Sequence, residues 1–410
     1  MRQGDIIKAT ITEVNNEGEG VVRVGEESFV LFVPNALPGE ETELRVVTKK
    51  NRYGVAKLLK RFNDSPERIE PVCKSFGHCG GCALQHMDYD AQLRLKRKSV
   101  TDALERIGKI ESPFVAECRP SPENIGYRNK ASLPVQCHRD EDLTAGFYRP
   151  RSHEIVQYCD CPVLMKKSRA MLPKLISALR KAGSAGIREG KRPDGAELIR
   201  EIVLREARFT DDMICAIVTA RKPNKSEIAK LADIARKIGG LTGMSVNIND
   251  APGNFIWGSK NIPIYGKQTI TERLGKYKFT FEASSFFQIN SEQALNLYEE
   301  AARLALAEKP EKILELYSGI GSLTVFLAAG GAQVTAVEEW QPAAKYIHIN
   351  AEQNGAERIT AYTAKAEDIA ERLADEKFDV TVLDPPRAGC GERVIESLIK
   401  ISAPRIVYVS

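Results

Sequence analysis

The chain has 410 residues, which is enough for two or three domains that each have their own core. Its hydrophobic share of 43% and charged share of 28% are typical of a soluble globular protein, and no apolar run approaches the roughly 20 residues that span a bilayer. This composition excludes a membrane protein. The first five residues lack the apolar segment of a signal peptide, so we predict a cytoplasmic location, no membrane partner and no obligate protein partner.

The net charge of +4 is distributed unevenly along the chain. Residues 1–60 carry nine Lys and Arg against nine Asp and Glu, residues 61–278 carry 38 against 26, and residues 279–410 carry 12 against 20. A basic middle segment beside an acidic C-terminal segment indicates a polyanion that one region holds and another modifies. Solvated helix faces explain the same pattern about equally well.

Short strands separated by glycine and proline turns fill residues 1–60. We predict strands at 5–14, 21–24, 27–33, 41–49 and 53–60. This close spacing favours a small β-barrel of the oligonucleotide-binding kind. Composition alone does not decide whether such a barrel binds a ligand or is only a structural appendage.

The rest of this multidomain chain is predicted as two further domains. Residues 61–278 form an α+β domain that begins with a cysteine-rich segment at 61–92. Residues 279–410 alternate strands with helices, which is typical of a parallel, Rossmann-like α/β sheet. Helices are predicted at about 89–107, 164–182, 225–239 and 291–307, and the strands of the last domain at 312–316, 333–338, 359–363, 378–384 and 405–410.

Three cysteines lie close together at Cys73, Cys79 and Cys82, beside glycines that permit tight turns. Three thiolates leave a metal site one ligand short, and Cys159 and Cys161 are the candidates for the fourth. Cys161 is favoured because the proline after it stiffens the turn. An all-cysteine set with unequal spacing favours an iron–sulfur cluster.

Zinc is the main alternative to the cluster, because four thiolates also suit zinc and His78 lies in the same segment. Free buried thiols are a third explanation. The other cysteines before the last domain are interpreted as core or incidental residues: Cys118, Cys137, Cys159 and Cys215. For Cys159 this interpretation applies unless it is the fourth ligand.

A glycine loop at residues 315–321, Glu-Leu-Tyr-Ser-Gly-Ile-Gly, follows a predicted strand and opens a helix. In a parallel α/β sheet the carboxyl end of a strand binds the ligand, and glycines let the backbone approach it. The next strand ends in Glu338, which is placed to accept hydrogen bonds from a ribose diol. The spacing is shorter than in the dinucleotide pattern and Thr324 stands at its third glycine position, so the motif favours S-adenosylmethionine.

Two more motifs belong to the same predicted domain. Asp384 ends a strand and is followed by Pro385, Pro386 and Arg387, so its carboxylate is held at the edge where chemistry usually occurs. It can orient the N3–H of a pyrimidine or a polar cofactor group, or belong to a structural turn. Residues 285–290, Ser-Phe-Phe-Gln-Ile-Asn, combine rings that can stack on bases with amides that can bind polar groups, although a buried strand end shows the same pattern.

Together these motifs resemble the RNA uracil-5-methyltransferase family over nearly the whole chain. The resemblance rests on the N-terminal barrel, four cysteines, residues 287–290, the loop at 316–319 and the Asp-Pro-Pro-Arg motif. It implies a TRAM domain and a [4Fe–4S] cluster whose ligands are Cys73, Cys79, Cys82 and Cys161. It also implies a binding site for S-adenosylmethionine at Gln288, Tyr317, Glu338 and Asp384.

The resemblance further implies an RNA partner. Bacterial transfer-RNA members of the family generally lack both barrel and cluster, so this chain is more similar to the branch that forms 5-methyluridine in 23S ribosomal RNA, with transfer RNA as the alternative. Arg128 and Lys130, in the sequence Tyr-Arg-Asn-Lys, are candidate RNA contacts. A basic run on the helix at 89–107 is a second candidate, although about half of it would face only solvent: Arg94, Lys96, Arg97 and Lys98.

The chain departs from the family after its fifth α/β strand. In the family, a cysteine in a Ser-Cys-Asn-Pro motif adds to C6 of uracil and thereby makes C5 nucleophilic. That motif would follow the strand at 406–410, and the sequence ends at Ser410. We therefore expect a C-terminally truncated sequence with an incomplete methyltransferase domain, in which Asp384 is an orienting residue and the chain is inactive.

Cys390 does not fit the role of the missing nucleophile, because it follows the fourth strand rather than the fifth. The alternative to a truncated enzyme is a non-catalytic RNA-binding protein that keeps the barrel, the cysteines and the cofactor pocket.

Overall fold

The computed structural model describes residues 1–25, 28–136, 143–183, 198–253, 255–373 and 375–410. The chain forms two compact units. The first contains Met1–Asn124 and Gly146–Pro162, and the second contains Ile125–Ala145 and Val163–Ser410. The predicted domain limits at residues 60 and 278 therefore fall inside these units rather than between them.

Within the described residues there are 20 strands and eight helices. The strands are β1 (Ile6–Thr10), β2 (Glu13–Val14), β3 (Glu19–Val24), β4 (Phe29–Pro34), β5 (Glu41–Lys49), β6 (Tyr53–Arg61), β7 (Lys130–Gln136), β8 (Thr144–Tyr148), β9 (Ile155–Gln157), β10 (Ile199–Glu206), β11 (Met213–Thr219), β12 (Gly243–Ile248), β13 (Lys260–Gly266), β14 (Thr269–Leu274), β15 (Tyr277–Glu282), β16 (Lys312–Leu316), β17 (Gln333–Glu338), β18 (Ile359–Thr363), β19 (Val380–Leu383) and β20 (Arg405–Tyr408). The helices are α1 (Tyr89–Arg106), α2 (Lys166–Lys181), α3 (Lys225–Ile238), α4 (Ser291–Ala305), α5 (Ser322–Ala329), α6 (Gln341–Gln353), α7 (Ala366–Arg372) and α8 (Glu392–Ile401). In the part of the chain that the structure describes, none of these helices is long and apolar enough to cross a membrane.

The first unit begins with a six-stranded sheet, which confirms the predicted small β-domain. The strands lie in the order β1-β5-β6-β4-β3-β2, and every pair is antiparallel except β4 with β6. Alternate side chains point inward because successive residues of a strand face opposite sides. The inward residues include five that are at most 1% exposed: Leu31, Val33, Leu44, Val46 and Ala56.

A buried ion pair attaches the segment after residue 60 to this sheet. Glu40 is fully buried, and the Arg68 guanidinium donates to both of its carboxylate oxygens. Burial alone would raise the pKa of Glu40, but Arg68 and the N–H of Leu37 outweigh it, so the pKa is lowered. Removing one partner of a buried pair leaves an uncompensated charge. This pair ties the segment after residue 60 to the sheet within the first unit.

The cysteine-rich segment, α1 and the β8–β9 hairpin complete the first unit. The Asp88 carboxylate caps α1 by accepting hydrogen bonds from the N–H groups of Asp90 and Ala91. The N–H of Gly80 donates to the carbonyl oxygen of Tyr148 at 2.9 Å, so the cysteine-rich segment is hydrogen-bonded to the hairpin. Contacts of this kind bring residues 146–162 into the first unit.

The second unit contains a mixed sheet in which β13, β12, β11, β10 and β7 follow one another. Every residue of β11 is buried, as expected for a strand in the middle of a sheet. Helices α2 and α3 pack against each other and against β10, β12 and β13. These helices agree with the two that the sequence predicts in this region.

A five-stranded parallel sheet in the order β18-β17-β16-β19-β20 confirms the predicted α/β segment. All four residues of β19 are buried, which is typical of a parallel sheet covered by helices on both faces. From β16 at the centre of the sheet, the chain continues through β17 to β18 at one edge. It then returns to β19 on the other side of β16 and ends with β20 at the opposite edge. The crevice at the carboxyl ends of β16 and β19, where the order reverses, is the place where such sheets bind ligands.

Candidate active site

The glycine loop after β16 has the conformation of a ligand-binding turn. Tyr317, Gly319 and Gly321 have φ angles of 64°, 59° and 80°, in the left-handed region. A Cβ atom on Gly321 would lie 3.0 Å from the Cα of Ile347, whereas one on Gly319 would meet no atom within 4 Å. Gly321 therefore permits the packing of α5 against α6, and Gly319 leaves its side of the loop open. Tyr317 is a non-glycine residue in a costly conformation, and such residues cluster at functional sites.

Glu338, at the end of β17, is held against this loop by two backbone donors. The N–H of Gly319 donates to Oε2 and the N–H of Trp340 donates to Oε1, both at 2.8 Å. Each carboxylate oxygen has a further lone pair to offer. The side chain therefore keeps acceptor positions open beside the loop, and its binding of a ribose diol stays a prediction.

A cavity of about 500 Å³ opens at the crevice between β16 and β19. This volume lies in the usual range for small-molecule sites. Its lining includes three of the four residues predicted to bind the cofactor, together with three aromatic side chains: Tyr317, Glu338, Asp384, Phe286, Tyr298 and Trp340. The acceptor carboxylates, the open glycine and the cavity size fit S-adenosylmethionine.

Gln288, the fourth predicted residue, reaches the cavity through a neighbour. Its side chain is in hydrogen-bonding contact with the hydroxyl of Tyr298, which also contacts Ser322. Tyr298 is 4% exposed, and burial together with nearby Asp384 raises the pKa of its hydroxyl. The carbonyl oxygen of Gln288 accepts a hydrogen bond from the Asn129 amide at 2.9 Å. The sequence motif located Gln288, but nothing in the motif indicated Tyr298.

The cavity also contains a buried acid that the sequence analysis did not single out. Glu315 is 3% exposed and accepts a hydrogen bond from the Thr324 hydroxyl at 2.5 Å. Burial, together with the nearby carboxylates of Asp384 and Glu338, raises its pKa to about 8. Burial also raises the pKa of Asp384 to about 6. A single carboxylate between apolar residues of β16 was the available signal for Glu315.

The candidate RNA contacts Arg128 and Lys130 are both half-buried, so they are less accessible than residues of an exposed surface loop. Arg128 pairs with Leu164 and Asn290 through isolated β-bridges, and its Nε donates to the carbonyl oxygen of Lys130. Lys130 is half-buried with its ammonium 5.7 Å from the ring centroid of Trp257. Burial lowers the pKa of Lys130 to about 7. Their role in RNA binding stays a prediction.

Helix α1 carries the predicted basic run, and three of its four members have partners. Arg94 pairs with Glu67, Lys98 pairs with Asp102, and the Nε of Arg97 donates to the carbonyl oxygen of Val115. Partnered surface cations still attract a polyanion, but they do so more weakly than unpaired ones.

Cys390 does not have the surroundings of an activated nucleophile. Burial raises the pKa of its thiol, which is in hydrogen-bonding contact with the hydroxyl of Tyr317. A raised pKa lowers the fraction of reactive thiolate at neutral pH. This placement supports the sequence argument against Cys390.

The predicted metal ligands gather in the first unit but do not form a ligand set there. Burial raises the pKa of Cys79, and the thiols of Cys82, Cys73 and Cys159 add to this. The Cys159 thiol also lies 3.0 Å from the Ser75 hydroxyl. Among the described residues, no group of three or more His, Cys, Asp or Glu side chains is arranged to hold a metal ion. The iron–sulfur cluster therefore remains a prediction.

The other cysteines are only partly as predicted. Cys215 is buried in the core and Cys118 is half-buried. Cys159 is exposed, and its contacts place it beside the cysteine-rich segment rather than in a core. The prediction for Cys137 lies outside the described residues.

Comparison with known proteins places these features in one family. A model described as tRNA (Uracil-5-)-methyltransferase matches residues 260–410, and one described as TRAM domain matches residues 2–59. An uncharacterized RNA methyltransferase of Halalkalibacterium halodurans is 34% identical over all of this chain and 89% of its own length. The chain belongs to the RNA uracil-5-methyltransferase family. The resemblance drawn from the sequence motifs is thereby confirmed.

Further relatives agree with this assignment. An uncharacterized RNA methyltransferase of Staphylococcus epidermidis is 31% identical over the whole of this chain and 89% of its own length. The solved structure of the tRNA (uracil-54, C5)-methyltransferase of Pyrococcus abyssi in complex with S-adenosyl-L-homocysteine is similar, with a TM-score of 0.76 and 28% identity. That likeness covers 98% of this chain and 89% of the other. The protein is accordingly an S-adenosylmethionine-dependent RNA methyltransferase with an N-terminal TRAM domain.

Proposed function

We propose that this enzyme methylates C5 of uridine in RNA. The observation that carries the proposal is that Glu338, Asp384 and the ring of Phe286 surround one cavity at the switch point of the parallel sheet. Bound S-adenosylmethionine supplies the electrophilic methyl group. The side chains of this cavity hold the two reactants and exclude water, which is how positioning lowers a barrier.

Phe286 supports the recognition of an unpaired base. Its ring is 64% exposed at the cavity, whereas the next residue, Phe287, is 2% exposed and stacks on Phe281 with 4.5 Å between ring centroids. The buried Phe287 anchors the segment, so Phe286 projects without collapsing into the core. An exposed ring of this kind can stack on a base that has left its helix.

Asp384 supports the choice of uracil. A carboxylate accepts a hydrogen bond from an N3–H group, which uracil has and cytosine lacks. With a pKa of about 6, Asp384 is mostly ionised at neutral pH and is an acceptor there. The side chain is thus suited to orient the pyrimidine ring rather than to donate a proton.

The covalent step in this proposal is addition of a thiolate to C6, because C5 of uracil is a poor nucleophile without it. C5 then takes the methyl group, a base removes the C5 proton, and the bond to C6 breaks and releases the thiolate. No cysteine of the described residues is assigned to this step. Neither the expected truncation nor the expected inactivity of the chain is supported by the comparisons. We do not assign Cys390 as the nucleophile. Burial raises the pKa of its thiol, and the thiol is in hydrogen-bonding contact with the hydroxyl of Tyr317.

We propose 23S ribosomal RNA as the first candidate substrate, because the chain combines the barrel with the cysteine set. Transfer RNA is the second candidate, and the Pyrococcus abyssi enzyme favours it. That enzyme acts on transfer RNA and is similar over 98% of this chain, so the barrel region by itself does not separate the two substrates.

We further propose a [4Fe–4S] cluster on Cys73, Cys79, Cys82 and Cys161, with zinc as the alternative. The proximity of the thiols of Cys73, Cys79 and Cys82 supports it. The arrangement of the described residues does not fit a closed ligand set, so no step of the reaction is assigned to the cluster.

The test uses unmodified 23S ribosomal RNA and transfer RNA transcripts, labelled S-adenosylmethionine and identification of the methylated nucleoside. We expect 5-methyluridine from the ribosomal transcript. Asp384→Asn should lower kcat/KM about 100-fold, which is the usual cost of a misplaced reactant. Cys390→Ser should keep wild-type activity.

Four outcomes would change the assignment. Methylation at another atom would refute uridine C5, and product from transfer RNA alone would make it the substrate. Loss of activity in Cys390→Ser would make that thiol the nucleophile. Cofactor binding without methylation of either RNA would favour the non-catalytic RNA-binding alternative.

A further inference from the structure

A buried arginine lies in the mixed sheet of the second unit without a carboxylate beside it. Arg205 of β10 pairs with Lys130 of β7 on one side and with Ile214 of β11 on the other, and it is 2% exposed. Burial lowers the pKa of its guanidinium to about 9, and among the described residues no carboxylate offsets this effect. The side chain is therefore a cation at neutral pH that is removed from water. Because burying a charge without an opposite charge is costly, other polar groups must compensate it.

Two backbone carbonyl groups supply this compensation. Nε of Arg205 donates to the carbonyl oxygen of Ala283 at 2.9 Å, and Nη2 donates to that of Ser285. Among the described residues, no backbone N–H donates to either oxygen. The guanidinium also lies over the ring of Phe281, 5.3 Å from its centroid. Arg205 therefore holds the turn at 283–285 through two hydrogen bonds at once, a geometry that suits the planar fork of a guanidinium better than a point-like ammonium group.

The exposed ring of Phe286 lies directly after this turn. Its side chain is 64% exposed and lines the cavity, whereas Ser285 before it is fully buried. On the other side of Phe286, the side-chain amide of Asn129 donates to the carbonyl oxygen of Gln288 at 2.9 Å. Arg205 and Asn129 thus fix the chain on the two sides of one exposed ring. Because the allowed rotamers depend on the backbone dihedrals, these two contacts restrict the direction in which the ring projects.

We propose that Arg205 is a positioning residue for RNA methylation, which fixes the backbone at 283–285 so that the ring of Phe286 points into the cavity. The inference rests on the proposed function, because it assumes that Phe286 stacks on the target base. Arg205 is not among the described residues that line the cavity, so it acts through the turn rather than on a reactant. An apolar side chain in its place would fill the same space but would leave both carbonyl groups without a donor and the turn free to shift.

The first test is a double-mutant cycle in the full chain, with kcat/KM on the RNA transcript that the wild type methylates as the readout. Phe286→Ala alone should lower kcat/KM about 10- to 100-fold, which corresponds to the loss of one base–aromatic stack. Arg205→Met alone should lower it about tenfold, because a misplaced ring holds the base less well. In the Phe286→Ala background, Arg205→Met should have almost no effect. Its Kd for S-adenosylmethionine should stay unchanged, since Gln288 is held by Asn129.

Arg200→Met is the matched control. Arg200 lies on the same strand and fastens a different segment, because its guanidinium donates to three carbonyl oxygens in the loop after β12, those of Asn249, Ala251 and Gly253. Its effect on kcat/KM, whatever its size, should be the same with and without the ring of Phe286, as expected for independent sites. A coupling confined to Arg205 therefore separates positioning from a general loss of packing.

A second test does not depend on how well methionine packs at position 205. In Arg205→Ala, millimolar guanidinium chloride should raise kcat/KM several-fold by occupying the vacated space, whereas an equal concentration of ammonium chloride should not, because it lacks the planar fork. The double variant Arg205→Ala with Phe286→Ala should not respond to guanidinium.

A double-variant loss equal to the product of the two single losses would overturn the inference, because it would show that Arg205 does not act through the ring. Guanidinium rescue that is absent, or that persists without the ring, would overturn it as well. Full activity of Phe286→Ala would instead refute the stacking role in the proposed function. Methylation at an atom other than C5 of uridine would refute the proposed function but leave the coupling between Arg205 and Phe286 standing.

Discussion

The N–H of Gly319 donates a hydrogen bond to Oε2 of Glu338 at 2.8 Å, across the carboxyl ends of β16 and β17. This contact joins the two motifs that a cofactor must meet at once, the glycine loop and the acidic strand end. Because the N–H of Trp340 occupies Oε1 as well, the carboxylate has a single orientation. The site is therefore preorganised, which reduces the cost of ordering it on binding.

Replacing Glu338 should weaken cofactor binding more than the loss of one hydrogen bond suggests. In Glu338→Gln the new amide group must face a backbone N–H of Gly319 or Trp340, so one donor loses its acceptor. Hydrogen bonds to charged groups contribute about 1.5–3 kcal/mol. We expect a roughly 10- to 100-fold higher Kd for S-adenosylmethionine by calorimetry. Glu352→Gln, at an exposed position on α6, is the control, and an unchanged Kd in Glu338→Gln would contradict this role.

Tyr298 and Gln288 should act on the cofactor as a hydrogen-bonded pair, with Tyr298 at the cavity wall. In Tyr298→Phe the ring remains packed beside Phe326 but the hydroxyl contact with Gln288 is lost. A neutral hydrogen bond contributes about 0.5–1.5 kcal/mol, so Kd for S-adenosylmethionine should rise about 2- to 10-fold. In a Gln288→Ala background the same substitution should have almost no effect. Equal effects in both backgrounds would show that Tyr298 is only structural.

Glu315 should make the enzyme less stable as pH rises. Its pKa is about 8 in the folded chain against an ordinary value of 4.5, so the folded state holds a proton that the unfolded state releases. Between these values stability falls with pH, by about 1.4 kcal/mol per pH unit in the middle of the window. Asp384, whose pKa is raised to about 6, adds to the fall at the acidic end.

The measurement is urea unfolding of wild type and Glu315→Gln at pH 5.5 and pH 8. The free energy of unfolding should fall less in the variant, because the amide has no proton to release. Glu352→Gln should follow the wild type. A variant with the full wild-type pH dependence would show that Glu315 is not the titrating group.

The cluster is tested by metal analysis of protein purified without oxygen. We expect about four irons per chain, and their loss in Cys79→Ser, while Cys390→Ser retains them. Cys161→Ser and Cys159→Ser identify the fourth ligand, which the sequence favours as Cys161 although Cys159 lies near Cys79. Stoichiometric zinc without iron would refute the cluster.

Much of the fold and part of the site could be read from local sequence. Strand periodicity placed all five strands of the parallel sheet, because burial on both faces requires short apolar runs with turn residues between them. The same strands also predict where three site residues lie. Gly319 follows β16, Glu338 ends β17, and Asp384 comes directly after β19. The cofactor could be predicted from these local signals, because the glycine loop and the acidic strand end are each defined by a few consecutive residues.

Only the tertiary structure decided properties that depend on neighbours distant in the chain. Glu315 is a protonated acid because α5 and the cavity walls remove it from water, and Lys130 is half-buried beside Trp257 for a similar reason. The contact of Tyr298 with Gln288 brings a residue from the middle of α4 against the segment that precedes the helix. Desolvation, side-chain pairing and strand order are each set by packing partners, and a residue's own sequence neighbours do not specify them.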